Sequence, residues 1–367
     1  MSEMSSMFVY VGTYTAGNES KGIYVYELDP ATGALEPRST ASGVVNPSFL
    51  ELHPNGQFLY AIGETGGNGD GGTVAAYAID GGDGALTLLN SVSSVGSGPC
   101  HLSIDATGAY AFVANYDGGS VCMLPIGADG RLGKASDFIQ HAGTSVDPGR
   151  QQGPHAHSIN VDPGNRFVFV PDLGLDKILT YEIDFAAGKL TPASQPWTQM
   201  APGAGPRHFD FHPSRDFAYV INEIDNTIVV FSYDQESGSI EERQVIDTLP
   251  ADFDGVSHTA DIHVDVSGRF LYGSNRGHDS IAIYAIDVSS GQLSLIGHES
   301  TRGSQPRNFG IDPTGVWLLA ANHQSDTIFT FAVDPEAGTL SSTGDVVKLP
   351  APVCVKFLVQ PGASALT

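Results

Sequence analysis

Residues 205–222 read GPRHFDFHPSRDFAYVIN, and this stretch predicts two β-strands joined by a tight turn. Apolar and polar side chains alternate on both sides of HPSRD, and a period of two residues is typical of strands. The middle of the stretch holds Pro, Ser and Asp, which favour turns. Residues 46–63, 98–115, 155–172, 258–275 and 305–322 follow the same template, and the last positions of the six copies are 52, 57, 50, 53 and 47 residues apart. A repeat of about fifty residues therefore decides the fold.

Each copy continues with a third and a fourth strand, as in TIVVFSYDQESGSIEERQVI at residues 227–246. Four strands in about fifty residues make one propeller blade. Residues 8–39 hold only the later strands of a repeat, whereas APVCVKFLVQ at residues 351–360 holds only a first strand. We therefore predict an all-β fold, a seven-bladed β-propeller closed by the N- and C-terminal strands in one shared blade. It forms a single domain over residues 7–360, between a flexible N-terminus (1–6) and a C-terminal tail (361–367).

The chain has 367 residues and a formal net charge of −24, from 41 acidic and 17 basic side chains. This charge argues against nucleic acid and anionic membranes as partners, because both repel an acidic protein. The first residues lack the basic and apolar regions of a leader, and no apolar stretch approaches the roughly 20 residues of a membrane span. We expect a cytoplasmic monomer. Cys100, Cys122 and Cys354 form no CxxC pair, so we expect reduced, buried thiols.

The repeat allows one blade to serve as the control for another. At two positions, both expected at one mouth of the central channel, small or neutral side chains alternate with large charged ones. The first position lies at the start of each first strand and holds Ser48, Cys100, His157, Arg207, Ala260, Arg307 and Val353. The second follows each second strand and holds Tyr14, Glu64, Tyr116, Leu173, Glu223, Arg276 and His323. Because the blade accepts Ala, Val or Leu there, packing does not demand the charged residues.

Three of the 11 arginines, Arg207, Arg276 and Arg307, fall on these two positions. Taken singly, each is better explained as a solvated rim residue or as an ion pair between blades. Their convergence favours a binding site for an anion. A further set of polar residues lies beside the same positions, on the alternate face of the strands: His155, His208, Asp261 and His263. For these, hydrogen bonding within the fold is the stronger interpretation.

Several motifs carry a resemblance to a known family: GPHAHSINVDP at residues 153–163, GAGPRHFDFHP with YVINE at 203–223, ADIHVDVSGRFLYGSNR at 260–276 and QPRNFGIDPTGVWLLAANHQSDTI at 305–328. Together they resemble the propeller lactonases typified by bacterial 6-phosphogluconolactonase. A fungal 3-carboxy-cis,cis-muconate lactonizing enzyme is a more distant relative. The resemblance spans nearly the whole chain. It places the family's catalytic residues on His157, Arg207, Glu223 and Arg276, and Arg307 matches the family's QPR as a substrate contact.

Four more residues near the two ring positions are candidate substrate contacts: His155, His208, Asp261 and His323. The resemblance implies that a small anionic lactone, 6-phospho-D-glucono-1,5-lactone, is hydrolysed to 6-phospho-D-gluconate. His157 or Glu223 would take the proton of the attacking water. Arginine would grip the anionic group and stabilise the oxyanion. No GxSxG or HExxH motif and no clustered ligand set is present, so we expect a metal-independent reaction without a cofactor.

Two alternatives stay open at this point. The first is a related enzyme for another anionic lactone, or one that forms the lactone of a carboxymuconate. The loops ETGGNGDGG (64–72) and HAGTSVDPGRQQG (141–153) depart from the family pattern and are expected to alter the substrate. The second is a non-catalytic propeller scaffold, since fold does not fix function. Scaffolds of the WD40 type carry Trp-Asp pairs, but Trp197 and Trp317 precede Thr and Leu.

Overall fold

The computed structural model describes residues 7–66 and 71–359 of the chain. These residues form 28 β-strands and no helix, arranged as seven four-stranded antiparallel sheets. The prediction of an all-β, seven-bladed propeller is therefore confirmed. The predicted flexible N-terminus (1–6) and C-terminal tail (361–367) lie outside the described residues, as does part of the loop at 64–72.

In chain order the strands are β1 (Met7–Thr13), β2 (Ile23–Leu28), β3 (Leu35–Ala41), β4 (Leu50–Leu52), β5 (Phe58–Gly63), β6 (Thr73–Ile79), β7 (Leu86–Ser93), β8 (Pro99–Ile104), β9 (Tyr110–Asn115), β10 (Ser120–Pro125), β11 (Asp137–Gln140), β12 (Asn160–Val161), β13 (Phe167–Asp172), β14 (Lys177–Asp184), β15 (Lys189–Gln199), β16 (Pro206–Phe211), β17 (Phe217–Asn222), β18 (Thr227–Asp234), β19 (Ser239–Asp247), β20 (His258–Val264), β21 (Phe270–Arg276), β22 (Ser280–Ile286), β23 (Leu293–Ser300), β24 (Pro306–Ile311), β25 (Trp317–Asn322), β26 (Thr327–Val333), β27 (Leu340–Lys348) and β28 (Pro352–Val359). Blades 1 to 6 each take four successive strands, from β4–β7 to β24–β27. The first strand of every blade contributes side chains to the central channel.

The seventh blade closes the ring with both ends of the described chain. Its strand order is β28-β1-β2-β3, and β28 runs antiparallel to β1 with Met7 opposite Val359 and Gly12 opposite Cys354. The backbone N–H of Tyr14 extends this pairing by donating to the carbonyl of Ala351 at 3.1 Å. Both ends of the described chain therefore lie in one sheet, so the predicted closure is confirmed.

Apolar side chains of the second and third strands pack between neighbouring blades and form the core. A recurring tyrosine of the second strand ties each of four blades to the next, because its buried hydroxyl donates to a glycine carbonyl in the neighbour's turn. These bonds run from Tyr10 to Gly84 (3.1 Å), Tyr60 to Gly130 (3.1 Å), Tyr219 to Gly291 (3.0 Å) and Tyr272 to Gly338 (2.8 Å). Cys100, Cys122 and Cys354 are free and buried, as predicted.

The start of several first strands carries a β-bulge. The register between first and second strands shifts between Pro206 and His208 and between Pro306 and Asn308, so Arg207 and Arg307 have no cross-strand partner. A bulge bends the strand and redirects a side chain, and bulges are frequent beside active sites. The bulge therefore positions both arginines.

Removal of residues 351–367 should unfold the protein, because β1 would lose one of its two hydrogen-bonded neighbours and the channel would lose one of its seven walls. We expect the truncated chain to lack the cooperative thermal transition that the intact chain shows by far-ultraviolet circular dichroism. A truncated chain that melts like the parent would contradict the closure.

Candidate active site

A cavity of about 340 Å³ opens at one mouth of the channel. Its lining combines residues of both ring positions with two loop residues. These residues are Tyr14, Glu64, Cys100, Tyr116, Asp117, Arg150, His157, Glu223, Arg276 and Arg307. Three of the four predicted catalytic residues line this cavity, and the fourth, Arg207, lies directly below it against Glu223.

The carboxylate of Glu223 is the centre of the site. Its Oε1 accepts a hydrogen bond from Arg150 Nη2 at 2.5 Å, and its Oε2 lies 2.8 Å from Arg207 Nε and 2.9 Å from Arg276 Nη2. Only 5% of the residue is exposed. Burial alone would raise the pKa of this carboxyl, but the charges of Arg276 and Arg207 hold it well below its usual range. Glu223 is therefore ionised, and both of its oxygens are bonded to guanidinium groups.

Arg207 supports Glu223 from below and cannot reach the open cavity. Its side chain is among the largest that are fully buried, with 1% of the residue exposed. Besides the bond to Glu223, its Nη1 donates to the backbone carbonyl of Ala260. Burial and the neighbouring Arg276 lower its pKa to about 10, so the guanidinium keeps its charge near neutral pH. Arg207 is thus a fixed positive charge beneath the site.

Two other arginines keep free donors at the cavity. Arg276 donates from Nη2 to the carbonyl of Thr259 at 2.7 Å, but its buried Nε has no partner among the described residues. The guanidinium of Arg307 lies over the ring of Tyr14, 5.5 Å from its centroid. Within residues 7–66 and 71–359 it makes no ion pair or hydrogen bond. An anionic ligand is the natural partner for such groups.

Among the described residues, His157 is the only histidine that lines this cavity. Its Nε2 lies 3.7 Å from Glu223 Oε2 and its Nδ1 lies 3.8 Å from Cys100 Sγ. Burial, with the nearby charge of Arg207, lowers its pKa well below the usual value. The ring is therefore neutral near pH 7 and has a nitrogen lone pair that can accept a proton.

A second carboxylate, Glu64, faces the arginines from blade 1. It accepts hydrogen bonds from the hydroxyl of Tyr14 at 3.0 and 3.2 Å and from Ser48 Oγ. Asp117 lies on the same lining. Sequence comparison placed Glu64 on a ring position but did not assign it to the site.

Arg150 is the functional residue that the sequence analysis missed. It lies in the loop at 141–153, which Asp176 anchors to the floor of the site. The carboxylate of Asp176 accepts hydrogen bonds from Gln151 Nε2 (2.7 Å), Ser145 Oγ (2.5 Å) and the backbone N–H of Gly205 (2.7 Å). The available signal was an arginine in a divergent loop of a chain that has few basic residues.

The other predicted substrate contacts lie elsewhere. His155 stacks on Tyr116 with ring centroids 4.5 Å apart, and its Nδ1 is 2.9 Å from the Tyr116 carbonyl oxygen, so it supports the wall from behind. His323 packs its edge against Tyr14 at 5.3 Å, outside the lining. His208 and Asp261 bond to each other at the opposite end of the channel. Of the five predicted substrate contacts, only Arg307 lines this mouth.

The bulge explains why alternation misplaced these last two residues. The sequence analysis placed His208 and Asp261 on the alternate face of their strands from the ring positions, because neighbouring residues in a regular strand face opposite sides. After the bulge, Arg207 and His208 both border the same small void on the channel axis. Within the described residues, no group of three or more His, Cys, Asp or Glu is arranged to hold a metal ion. Metal independence stays a prediction.

Comparison with known proteins decides the family. Residues 8–357 match the model of a family described as lactonase, 7-bladed beta-propeller. The chain belongs to this propeller lactonase family. A relative named 6-phosphogluconolactonase, from Bacillus subtilis, is 40% identical over 97% of this chain and 100% of its own length. Another of the same name, from Serratia proteamaculans, is 37% identical over 81% of this chain and 84% of its own.

A solved structure agrees with this family. The periplasmic gluconolactonase of Pseudomonas aeruginosa superposes on this propeller lactonase with a TM-score of 0.92 and 35% sequence identity, covering 97% of this chain and 100% of that one. In the part of this chain that the structure describes, no helix has the length and apolar character needed to cross a membrane.

Glu223→Gln should destabilise this propeller lactonase, because three guanidinium groups would lose their shared counter-charge. We expect the free energy of unfolding in urea to fall by about 3–5 kcal/mol, as for other broken buried ion pairs. The double variant Glu223→Met with Arg207→Met is the matched control. It removes the carboxylate together with its most buried partner and should recover much of the loss. A Glu223→Gln protein as stable as the parent would contradict this role.

Proposed function

We propose that this propeller lactonase is a carboxylic-ester hydrolase that converts 6-phospho-D-glucono-1,5-lactone into 6-phospho-D-gluconate, a reaction of the pentose phosphate pathway. The observation that carries the proposal is the gathering of Arg150, Arg207, Arg276 and Arg307 around a neutral histidine at one mouth. Such a concentration of positive charge is exceptional in a chain with a net charge of −24. The relatives named 6-phosphogluconolactonase support the same assignment.

Arg307 is the proposed contact of the phosphate group. Arg150, Arg207 and Arg276 are all committed to Glu223, whereas Arg307 has no ionic partner among the described residues. A planar guanidinium binds phosphate through two parallel hydrogen bonds. Stacking on Tyr14 fixes the plane of this guanidinium before the substrate arrives, which reduces the entropy lost on binding.

Arg276 is the proposed stabiliser of the oxyanion. When water attacks C1 of the lactone, the carbonyl oxygen gains a full negative charge and needs donors that are already oriented. The guanidinium of Arg276 lines the cavity and supplies such a donor, and its Nη2 is held in place by Glu223 and Thr259. Glu223 thus acts through the arginines by holding their like charges together.

His157 is the proposed general base. Between the two sequence candidates, Glu223 is disfavoured because its oxygens are occupied by three guanidinium groups and its pKa is held low. The neutral imidazole of His157 takes a proton from water as the water oxygen bonds to C1. The resulting imidazolium then returns that proton to the ring oxygen as the bond between C1 and that oxygen breaks. The product forms as the carboxylic acid, which loses one proton to solvent to give 6-phospho-D-gluconate, and His157 returns to its neutral form.

The charge pattern of the mouth distinguishes this substrate from a carboxymuconate. Glu64 and Asp117 place carboxylates in the same lining as the arginines. A sugar lactone has a single anionic group and several hydroxyls, which can donate to these carboxylates. A carboxymuconate has several anionic groups, and at least one of them would meet Glu64 or Asp117 with like charge. The lactonizing alternative is therefore disfavoured.

We also propose, from the sequence pattern alone, that this protein is a cytoplasmic monomer. The gluconolactonase of P. aeruginosa is described as periplasmic. The periplasm is therefore the alternative location for this chain.

Purified protein should accelerate the loss of 6-phosphogluconolactone above its spontaneous hydrolysis, and should do so in excess EDTA. His157→Gln should lower kcat by roughly 10²–10⁴, the usual contribution of a general base. His298→Gln, in the outer strand β23, serves as the control. No acceleration by the parent protein would refute the proposed function. Activity lost to EDTA and restored by a divalent cation would refute metal independence.

Arg307→Ala should distinguish recognition of the phosphate group from recognition of the lactone ring. We expect kcat/KM to fall roughly 10- to 100-fold for 6-phosphogluconolactone, the value of a lost charged hydrogen bond. For unphosphorylated glucono-1,5-lactone the change should be small. Arg302→Ala removes an exposed arginine from the same region as a control. An equal loss on both lactones would assign Arg307 to the carbonyl instead.

A further inference from the structure

The channel has a second cavity at its other end, with a volume of about 390 Å³. A void of only about 10 Å³ separates the two cavities. This void borders His157, Glu64 and Arg307 of the mouth on one side and Phe49, His208 and Asn308 of the second cavity on the other. We call the second cavity the lower cavity. Its size falls in the range of about 300–1,000 Å³ that small-molecule sites occupy.

Asp261 organises the polar wall of the lower cavity. Its Oδ1 lies 2.6 Å from His208 Nδ1, its Oδ2 lies 3.1 Å from His263 Nε2, and Asn308 Nδ2 donates to Oδ2 as well. Only 2% of Asp261 is exposed. Because the carboxylate accepts a hydrogen bond from Nδ1–H of His208, Nε2 of this ring is left as an acceptor. The network presents oriented polar groups on a rigid frame.

Among the residues that the structure describes, three carboxylates line the lower cavity, and each has a partner in its wall. Asp210 accepts hydrogen bonds from the backbone N–H groups of Phe211 at 2.9 Å and Val264 at 2.8 Å, and burial raises its pKa. Lys356 Nζ bonds to Glu51 Oε2 at 2.8 Å and lies 4.9 Å from the ring centroid of Phe49. Asp261 is matched by His263, whose pKa its charge raises against the effect of burial. An added anion would meet the carboxylates and an added cation would meet Lys356, so a charged ligand gains little here.

The lining is nevertheless too polar for an apolar ligand. An apolar occupant would leave His208 Nε2, an acceptor in this wall, without water or a partner, which costs free energy. Phenyl rings alternate with the polar groups: Phe49, Phe209, Phe211 and Phe357. Aromatic faces beside fixed donors and acceptors suit a ring that has hydroxyls on its edge and C–H groups on its faces.

We propose that the lower cavity is a second binding site, distinct from the catalytic mouth, for a neutral cyclic polyol such as a free monosaccharide. A hydroxyl of the ligand would donate to His208 Nε2, and one face of its ring would lie on a phenyl group. The proposal does not depend on the lactonase activity, because no residue named for the lower cavity contacts the proposed substrate.

The test is calorimetric titration of the intact protein with D-glucose and with myo-inositol, and with D-gluconate as the anionic arm. We expect saturable binding of at least one neutral polyol that saturating 6-phosphogluconate does not displace, and weaker binding of gluconate. D-glucose alone would indicate a sugar site, whereas both compounds would indicate a general polyol site. No saturable binding of either, or full displacement by 6-phosphogluconate, would overturn the proposal.

Two variants locate the site. Val266 lines the lower cavity and is 57% exposed, so Val266→Trp should obstruct it and weaken polyol binding at least tenfold without affecting the fold. Val288→Trp is the matched control, since Val288 is 60% exposed and lies outside the cavity. Binding unaffected by Val266→Trp would overturn the assignment.

Discussion

The mouth of the channel depends on one carboxylate surrounded by guanidinium groups. Glu223 bonds to Arg150, Arg207 and Arg276, which come from a loop and from two neighbouring blades. Without it, three like charges would repel one another in a space largely closed to water. The same ion cluster therefore joins separate parts of the ring and sets the electrostatic potential of the cavity. Its stabilising and functional roles cannot be separated by removing one side chain.

The sequence predicted the fold because each blade repeats the same local physics. Alternating apolar residues and a turn such as HPSRD specify two strands without any long-range contact. Six copies and two complementary ends then left only a closed ring. The repeat also exposed Arg207 and Glu223, because the other blades carry small or neutral side chains where these two stand. The other blades therefore show which side chains the fold itself requires at these two positions.

The parts that the sequence did not predict depend on departures from regular structure. Alternation assigns Arg207 and His208 to opposite faces, but the bulge between Pro206 and His208 brings both to the channel. Arg150 was missed for a different reason. Its position is set by hydrogen bonds from distant parts of the chain to Asp176, and no local pattern encodes such contacts. Irregular backbone and long-range anchoring are both invisible to a periodicity argument.

The shared blade gives the ring an order of assembly. Strand β28 is the last of the described strands to leave the ribosome, yet it is the partner of β1, one of the first. Until β28 has been synthesised, the edge of β1 that will pair with it stays open, and this edge can pair with another chain. Lys356 and Phe357 of β28 also complete the wall of the lower cavity. The channel thus acquires its final shape only after β28 has been synthesised.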